Sequence, residues 1–240
     1  MSHISYAASA AAGGELVGTA VLDTIGLVIA GPDPALRAEM KLPKGMGSAL
    51  GLISSRTGAA GQIVACDDAV KATAARIVSV ELPRDTKGWG GHGCYLVLAS
   101  DTPSDAREAV AQTLSGIERN AGEVYISDAG HLEFAYTARA GEVVNRAFGA
   151  PINAAFGFLA ASPAAIGLVL ADRALKAAPV QIVSYMTPAL GTSHSNEVIL
   201  AFSGEASAVH DAVCAARDVG IPLLRAMGSE PRSPGGAPYL

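Results

Sequence analysis

The 240-residue sequence predicts an α+β protein built from two tandem copies of one domain, each an antiparallel sheet with helices on one face. The chain repeats itself: Gly51 and Gly157 are offset by 106 residues, and Asp67 and Asp172 by 105. A period of this length is too long for a solenoid and indicates a duplicated domain. We therefore predict domains at 15–122 and 123–228, with flexible tails at 1–14 and 229–240.

Each copy contains the same succession of strand-like and helix-like segments. Strand and helix lead-ins are predicted at 16–30 and 33–40 in the first copy and within 131–148 in the second. Short apolar runs predict strands at 50–54, 62–65, 76–82 and 95–99, and in the second copy at 156–160, 168–170, 180–186 and 198–202. A helix is predicted from Asp67, another is predicted to be capped by Ser104, and a third follows Gly204. Their core-facing stripes are Ala106, Ala109, Val110, Thr113, Leu114 and Ile117, and Val209, Ala212, Val213 and Ala216.

The segment KGWGGHG (87–93) matches the glycine spacing of a dinucleotide-binding loop through Gly88, Gly90 and Gly93. Such a loop must open directly into a helix, whose N-terminus holds the phosphate. Here the apolar run CYLVLA follows and predicts a strand, so a phosphate site is disfavoured. A hairpin turn explains the glycines. The loop is also long, and it has a polar counterpart at 189–196. Its glycines would then let exposed backbone N–H and C=O groups surround an opening.

Composition excludes several classes of protein. A net charge of −5 without a basic stripe argues against nucleic-acid binding, and the charged fraction of 16% suggests a surface covered by other subunits. The uncharged stretch 147–171 is too interrupted for a membrane span, and it predicts a helix end followed by two buried strands. Three dispersed cysteines indicate a reducing, cytoplasmic location. His131 and Glu133 share a strand face without further metal ligands, which favours a hydrogen-bonded structural histidine. No catalytic set, metal site or cofactor is predicted.

Long polar strings resemble the B/B′ shell proteins of propanediol-utilisation bacterial microcompartments. They include RTGAAGQIVACDDAVKAT, VSVELPRDTKGWGGHG and SHSNEVILAFSGEASAV, and the likeness extends from about residue 17 to 231. The sequence resembles the ethanolamine shell protein L more distantly. The resemblance implies two circularly permuted, ferredoxin-like microcompartment domains. It also implies a homotrimer of pseudohexameric shape that tiles with neighbouring shell hexamers and trimers. Such a protein is not an enzyme, and it passes small alcohols or aldehydes through pores in the shell.

The resemblance also assigns roles to individual residues. Lys71 and Lys176 are expected at tile edges, packed against a neighbour. Trp89 stands where a smaller residue is expected and would narrow an opening. The short alanine-rich start leaves cargo attachment open. The candidate pore and metabolite-binding residues are Glu81, Arg84, Asp85, Lys87, Gly88, Trp89, Gly90, Gly91, His92, His194, Ser195, Asn196 and Glu197. The alternatives are a nucleotide-binding protein or enzyme that uses the glycine loop, and a ligand-sensing trimer.

Overall fold

The computed structural model describes residues 14–42, 45–84, 92–189, 195–235 and 237–240. Two five-stranded antiparallel sheets follow one another along the chain. The first has the order β1-β2-β3-β5-β4 and the second the order β6-β7-β8-β10-β9. Their strands are β1 (Glu15–Ala20), β2 (Thr24–Ala30), β3 (Ala49–Ser55), β4 (Arg76–Glu81), β5 (Cys94–Ser100), β6 (Val124–Ser127), β7 (Gly130–Thr137), β8 (Ala155–Ser162), β9 (Gln181–Met186) and β10 (Val198–Gly204).

Three α-helices accompany each sheet in the described part of the chain. They are α1 (Pro34–Glu39), α2 (Ala60–Ala72) and α3 (Pro103–Asn120), then α4 (Glu142–Phe148), α5 (Ala164–Ala177) and α6 (Ala206–Arg225). We call the first sheet with α1–α3 the N-terminal half, and the second sheet with α4–α6 the C-terminal half. The identical strand order and helix positions confirm the predicted α+β fold.

Two predicted strands are wrong. Residues 62–65 and 168–170 lie inside α2 and α5. Nine residues of α2 are buried, almost without a break, so the helix shows no amphipathic period and its sequence imitates a buried strand. The stretch 147–171 likewise contains the end of α4, one strand (β8) and the start of α5, not two strands. The N-cap of α3 is Thr102, whose hydroxyl accepts from the Asp105 N–H, so the prediction of Ser104 was wrong by two positions.

The repeated glycines allow the long helices to pack directly on the sheets. A Cβ on Gly51 would lie 2.8 Å from a methyl of Val110 in α3, and one on Gly157 would lie 2.4 Å from Phe202 in β10 and 2.9 Å from Val209 in α6. The stripes predicted for α3 and α6 are buried. These close approaches explain why the duplication keeps glycine at both positions.

The two halves meet along a seam formed by α2 and β4 on one side and by α4 and β7 on the other. The helices α2 and α4 are each capped by a carboxylate side chain from the opposite half. Asp67 of α2 accepts from the N–H groups of Gly141, Val143 and Val144 at the start of α4, at 2.8–3.2 Å. Glu133 of β7 accepts from the N–H groups of Ala59 and Ala60 at the start of α2. Neither helix has a capping side chain of its own.

The residues after α6 differ from the expected flexible tail. Arg232 forms a backbone bridge to Ile126. The N–H groups of Tyr239 and Leu240 donate to the fully buried carboxylate of Glu123, at 2.7 and 2.9 Å. This segment therefore packs on the connection between the two halves.

Candidate functional site

The structure describes six of the thirteen predicted pore residues: Glu81, Arg84, His92, Ser195, Asn196 and Glu197. The other seven lie outside the described residues: Asp85, Lys87, Gly88, Trp89, Gly90, Gly91 and His194. A backbone bridge between Arg84 and His92 and a Gly93 N–H bond to the Pro83 carbonyl close the base of the first loop. Strand β5 follows at Cys94, so the glycine spacing does not open into a helix and a phosphate cradle is excluded.

Exposure divides the described candidates into two groups. Glu81, Arg84 and Asn196 are exposed, and the Asn196 side chain accepts from the Ala164 N–H at the start of α5. His92, Ser195 and Glu197 are only 4%, 1% and 2% exposed. The prediction that these three line a passage needs correction, because buried side chains present no surface to a molecule in transit. They form a cluster inside the seam instead.

Glu197 is the centre of that cluster. One carboxylate oxygen pairs with Nδ1 of His92 and the other with Nε2 of His131, the latter at 2.9 Å. Ser195 Oγ lies 3.3 Å from Nε2 of His92 and 3.5 Å from Glu197 Oε2. The cluster thus joins the end of one glycine loop to the end of the other across the two halves. His131 is a hydrogen-bonded histidine, as its strand position predicted.

The electrostatics of the cluster are strongly coupled. Burial disfavours the charged form of Glu197, but hydrogen bonds from His131 and His92 outweigh it and lower the pKa of this carboxyl to about 2. Burial also disfavours the charged form of His131, but the hydrogen bond and negative charge of Glu197 raise the pKa of this imidazole above its ordinary value. Burial raises the pKa of Glu133. The contact between His131 and Glu197 therefore favours the charged form of each group, an imidazolium and a carboxylate.

Metal binding finds no support in the part of the chain that the structure describes. No group of three or more His, Cys, Asp or Glu side chains there is arranged to hold an ion. Burial raises the pKa of the Cys66 and Cys94 thiols, which makes them poor nucleophiles. Among the described helices, none has the length and apolarity to cross a bilayer.

Sequence reasoning missed Asp67 and Glu133 as bridging residues. Their signal was an acidic side chain inside an otherwise apolar segment, which in a folded protein demands a partner. Lys71 donates to the Arg139 carbonyl at 2.6 Å and pairs with Asp67 at 2.7 Å, so it lies at the rim of the seam. Lys176 pairs with Asp172 at 2.7 Å on the exposed face of α5. The tile-edge role of both lysines stays a prediction.

Comparison with known proteins now identifies the family. The BMC domain model matches residues 155–227, which lie in the C-terminal half. The chain is 49% identical over 219 residues to the bacterial microcompartment shell protein PduB of Citrobacter freundii, covering 91% of this chain and 81% of that protein. It belongs to the PduB family of bacterial microcompartment shell proteins. The chain is also 44% identical to PduB of Limosilactobacillus reuteri, over 90% of this chain and 91% of that one.

Solved structures agree with this membership. A crystal structure of a trimeric PduB shell protein superposes with a TM-score of 0.87 at 41% identity, covering 94% of this chain and 99% of that one. EtuB from Clostridium kluyveri gives a TM-score of 0.90 at 45% identity, over 94% and 98% of the two chains. The PduB family consists of structural shell proteins, so the protein is a component of a microcompartment shell and not an enzyme. The predicted family, the predicted location in a microcompartment shell and the tandem fold are confirmed, whereas nothing favours the nucleotide-binding alternative.

Proposed function

We propose that three copies of this chain close into a six-domain ring that tiles into the shell, and that the ring passes small polar metabolites. The observation that carries the proposal is a match between a buried seam and an exposed apolar face. Inside the chain, α2 and β4 are covered by α4 and β7. The equivalent elements in the C-terminal half, α5 and β9, have no such cover from the described part of the chain.

The duplication allows the buried surface of the first half and the exposed surface of the second half to be compared at equivalent residues. At the internal seam, Ile63, Val64 and Ile77 are 0%, 3% and 6% exposed. The residues 105 positions later are 55%, 48% and 54% exposed, and they are Leu168, Val169 and Ile182. A single chain thus leaves uncovered the apolar side chains that its own first half buries. Large apolar surface of this kind marks a contact with another protein.

The complementary surface is also present on the chain. By the same strand register, α1 and β2 are the counterparts of α4 and β7. They expose Leu36 by 46% and Ile25 by 38%. Each chain therefore exposes one surface of each kind. A second copy would cover α5 and β9 of the first copy with its own α1 and β2. Such head-to-tail contacts generate rings when the rotation closes.

The trimeric state of the PduB relative supports closure after three copies. We place the two domains at 15–122 and 123–228, so that internal seams and seams between copies alternate around the ring. Neighbouring hexamers and trimers would then pack against its perimeter, where Lys71 and Lys176 are proposed to meet backbone carbonyls of the next tile.

The glycine loop at 87–93 and its counterpart at 189–196 are proposed to surround a passage. Glu81 and Arg84 are exposed at the base of the first loop, and Asn196 at the end of the second. Side chains of both signs and an amide fit hydrogen bonding to small alcohols or aldehydes in transit. Soaking trimer crystals in 1,2-propanediol tests this. We expect the diol within hydrogen-bond distance of Glu81 or Arg84, and its absence there would contradict the assigned passage.

The assembly is tested by placing charge on the exposed face. Leu168→Asp and Ile182→Asp together should convert the trimer to single chains in native mass spectrometry, because burying two carboxylates against apolar side chains is costly. Met227→Asp is the matched control, since Met227 is also exposed, by 50%, but follows α6 and belongs to neither α5 nor β9. A trimer that persists in the double variant would refute the assigned interface.

A further inference from the structure

The buried cluster around Glu197 sits where the two loops return to their sheets. His92 directly follows residues 85–91, and Ser195 directly follows residues 190–194. Glu197 contacts both, and it also contacts His131 of β7. One carboxylate therefore holds the ends of two loops that belong to different halves of the chain. Packing alone does not require ionisable groups at such a place, because apolar residues of similar size fill a buried seam at least as stably.

We propose that His92, His131 and Glu197 are positioning residues that hold the two loop ends at a fixed separation, and that this hold is released at alkaline pH. The proposal rests on the proposed function in one respect, namely that the loops surround a passage. The separation of the loop ends is itself measurable without any permeation. A loop separation that does not respond to pH can therefore be told apart from loops that do not surround a passage.

The hydrogen bonds indicate which group controls the release. His92 has a partner on each ring nitrogen, Glu197 on Nδ1 and Ser195 on Nε2. The Ser195 hydroxyl can donate to Nε2 or accept from it, so His92 is satisfied with or without the second proton. His131 has Glu197 on Nε2, whereas its Nδ1 has no partner among the residues that the structure describes, although the side chain is buried. His131 therefore differs from His92 in having Glu197 as its one hydrogen-bond partner among the described residues.

The charge balance gives the direction of the pH effect. The other titratable groups that face the cluster are Glu133 on β7 and Cys94 on β5, and burial raises the pKa of both, to about 12 for Cys94. Glu133 also accepts from the N–H groups of Ala59 and Ala60 at the start of α2. The stabilisation from a raised histidine pKa is present below the ordinary value and is lost as the pH rises through the raised one. Deprotonated His131 leaves Glu197 as an unbalanced buried charge.

The duplication confines the device to the seam inside each chain. In the register of the two sheets, Asn196 takes the place of His92, and Gly93 takes the place of Glu197. The proposed seam between copies therefore has no counterpart of the His92 imidazole or of the Glu197 carboxylate. A trimer would hold three such clusters, one in each chain, and none between chains.

Pulsed electron spin resonance on the trimer measures the separation. Nitroxide labels go on Arg84→Cys and Ala189→Cys, both exposed, in a Cys214→Ser background, with labelled chains diluted by unlabelled ones. We expect one narrow distance peak at about pH 6 and its loss at about pH 10, above the titration of a raised histidine. His131→Gln keeps an N–H for Glu197 but cannot titrate, and it should abolish the pH dependence.

Two further variants make the result decisive. Glu197→Gln removes the charge that both imidazoles share, and it should lose the narrow peak at both pH values. His210→Gln alters an exposed histidine on α6 and should retain the native pH response. The proposal is overturned if the native peak stays narrow across this pH range, or if His131→Gln broadens with pH as the native protein does. Should Glu197→Gln fail to assemble, the His131→Gln comparison decides alone.

Discussion

Removal of the carboxylate of Asp67 should destabilise the protein far more than the same change at its repeat partner. Asp67 is 1% exposed and accepts three N–H groups at the start of α4. Asp67→Ala leaves those donors without an acceptor, and each unsatisfied buried group costs about 1–3 kcal/mol. Water can partly hydrate the helix start, and the one-third-exposed Lys71 ammonium is freed from its pair. Both effects reduce the total cost, so we expect the free energy of unfolding to fall by about 3 kcal/mol.

The comparison is made in the Leu168→Asp/Ile182→Asp background, whose chains are expected to stay single. There Asp172→Ala is the matched control, because Asp172 has the same place in the repeat but makes an exposed pair with Lys176. Such pairs contribute about 0.5 kcal/mol or less. Urea unfolding at equal protein concentration measures both variants, and a loss of 3 kcal/mol should lower the midpoint by about 1 M. Asp67→Asn should recover part of the loss, since its amide oxygen still accepts. Equal midpoints for the two alanine variants would refute the account of the seam.

Three other outcomes are expected. Gly93→Ala should abolish folding or lower the stability several times more than Gly14→Ala does. A Cβ at position 93 would lie 2.1 Å from the Ser55 carbonyl oxygen, whereas the nearest atom to a Cβ on Gly14 is 3.7 Å away. Equal melting temperatures for the two variants would contradict this. The stability difference between native protein and Glu197→Gln should be full above the ordinary carboxyl pKa and shrink as the pH falls towards about 2, in acid titrations followed by circular dichroism. A difference that grows on acidification would have the wrong sign. Calorimetric titration with nicotinamide or adenine nucleotides should give no binding heat, and saturable binding would revive the rejected phosphate site.

Much of the fold could be predicted because the duplication supplied each element twice. Most of the predicted strands match the structure because they are short apolar runs, and the long helices α3 and α6 match because their apolar residues recur with a clear period. The first turns of α2 and α5 could not be predicted. The capping partner of α2 is Glu133, about seventy residues further along the chain, and no local signal announces it.

The candidate site was predictable only in part. The sequence placed His92, Ser195 and Glu197 near each other through the repeat, but it assigned them to an open passage. Within the C-terminal half, the sheet order β7-β8-β10 brings His131 to Glu197, and the seam brings His92 of the other half to the same carboxylate. Pairing across two halves depends on tertiary structure, whereas the sequence pattern reports only the local environment of each residue.

The ring of three copies is tested most directly by a cross-link that can form only between chains. A Cβ on Gly141 would lie 2.7 Å from Asp67 Oδ1 at the internal seam, and the equivalent positions between copies are Asp33 and Asp172. Asp33→Cys with Asp172→Cys in a Cys214→Ser background should therefore meet disulfide geometry. Mild oxidation should yield a covalent species of three chains and nothing larger on a non-reducing gel. Persistence of single chains, or a ladder that continues beyond three, would contradict the proposed assembly.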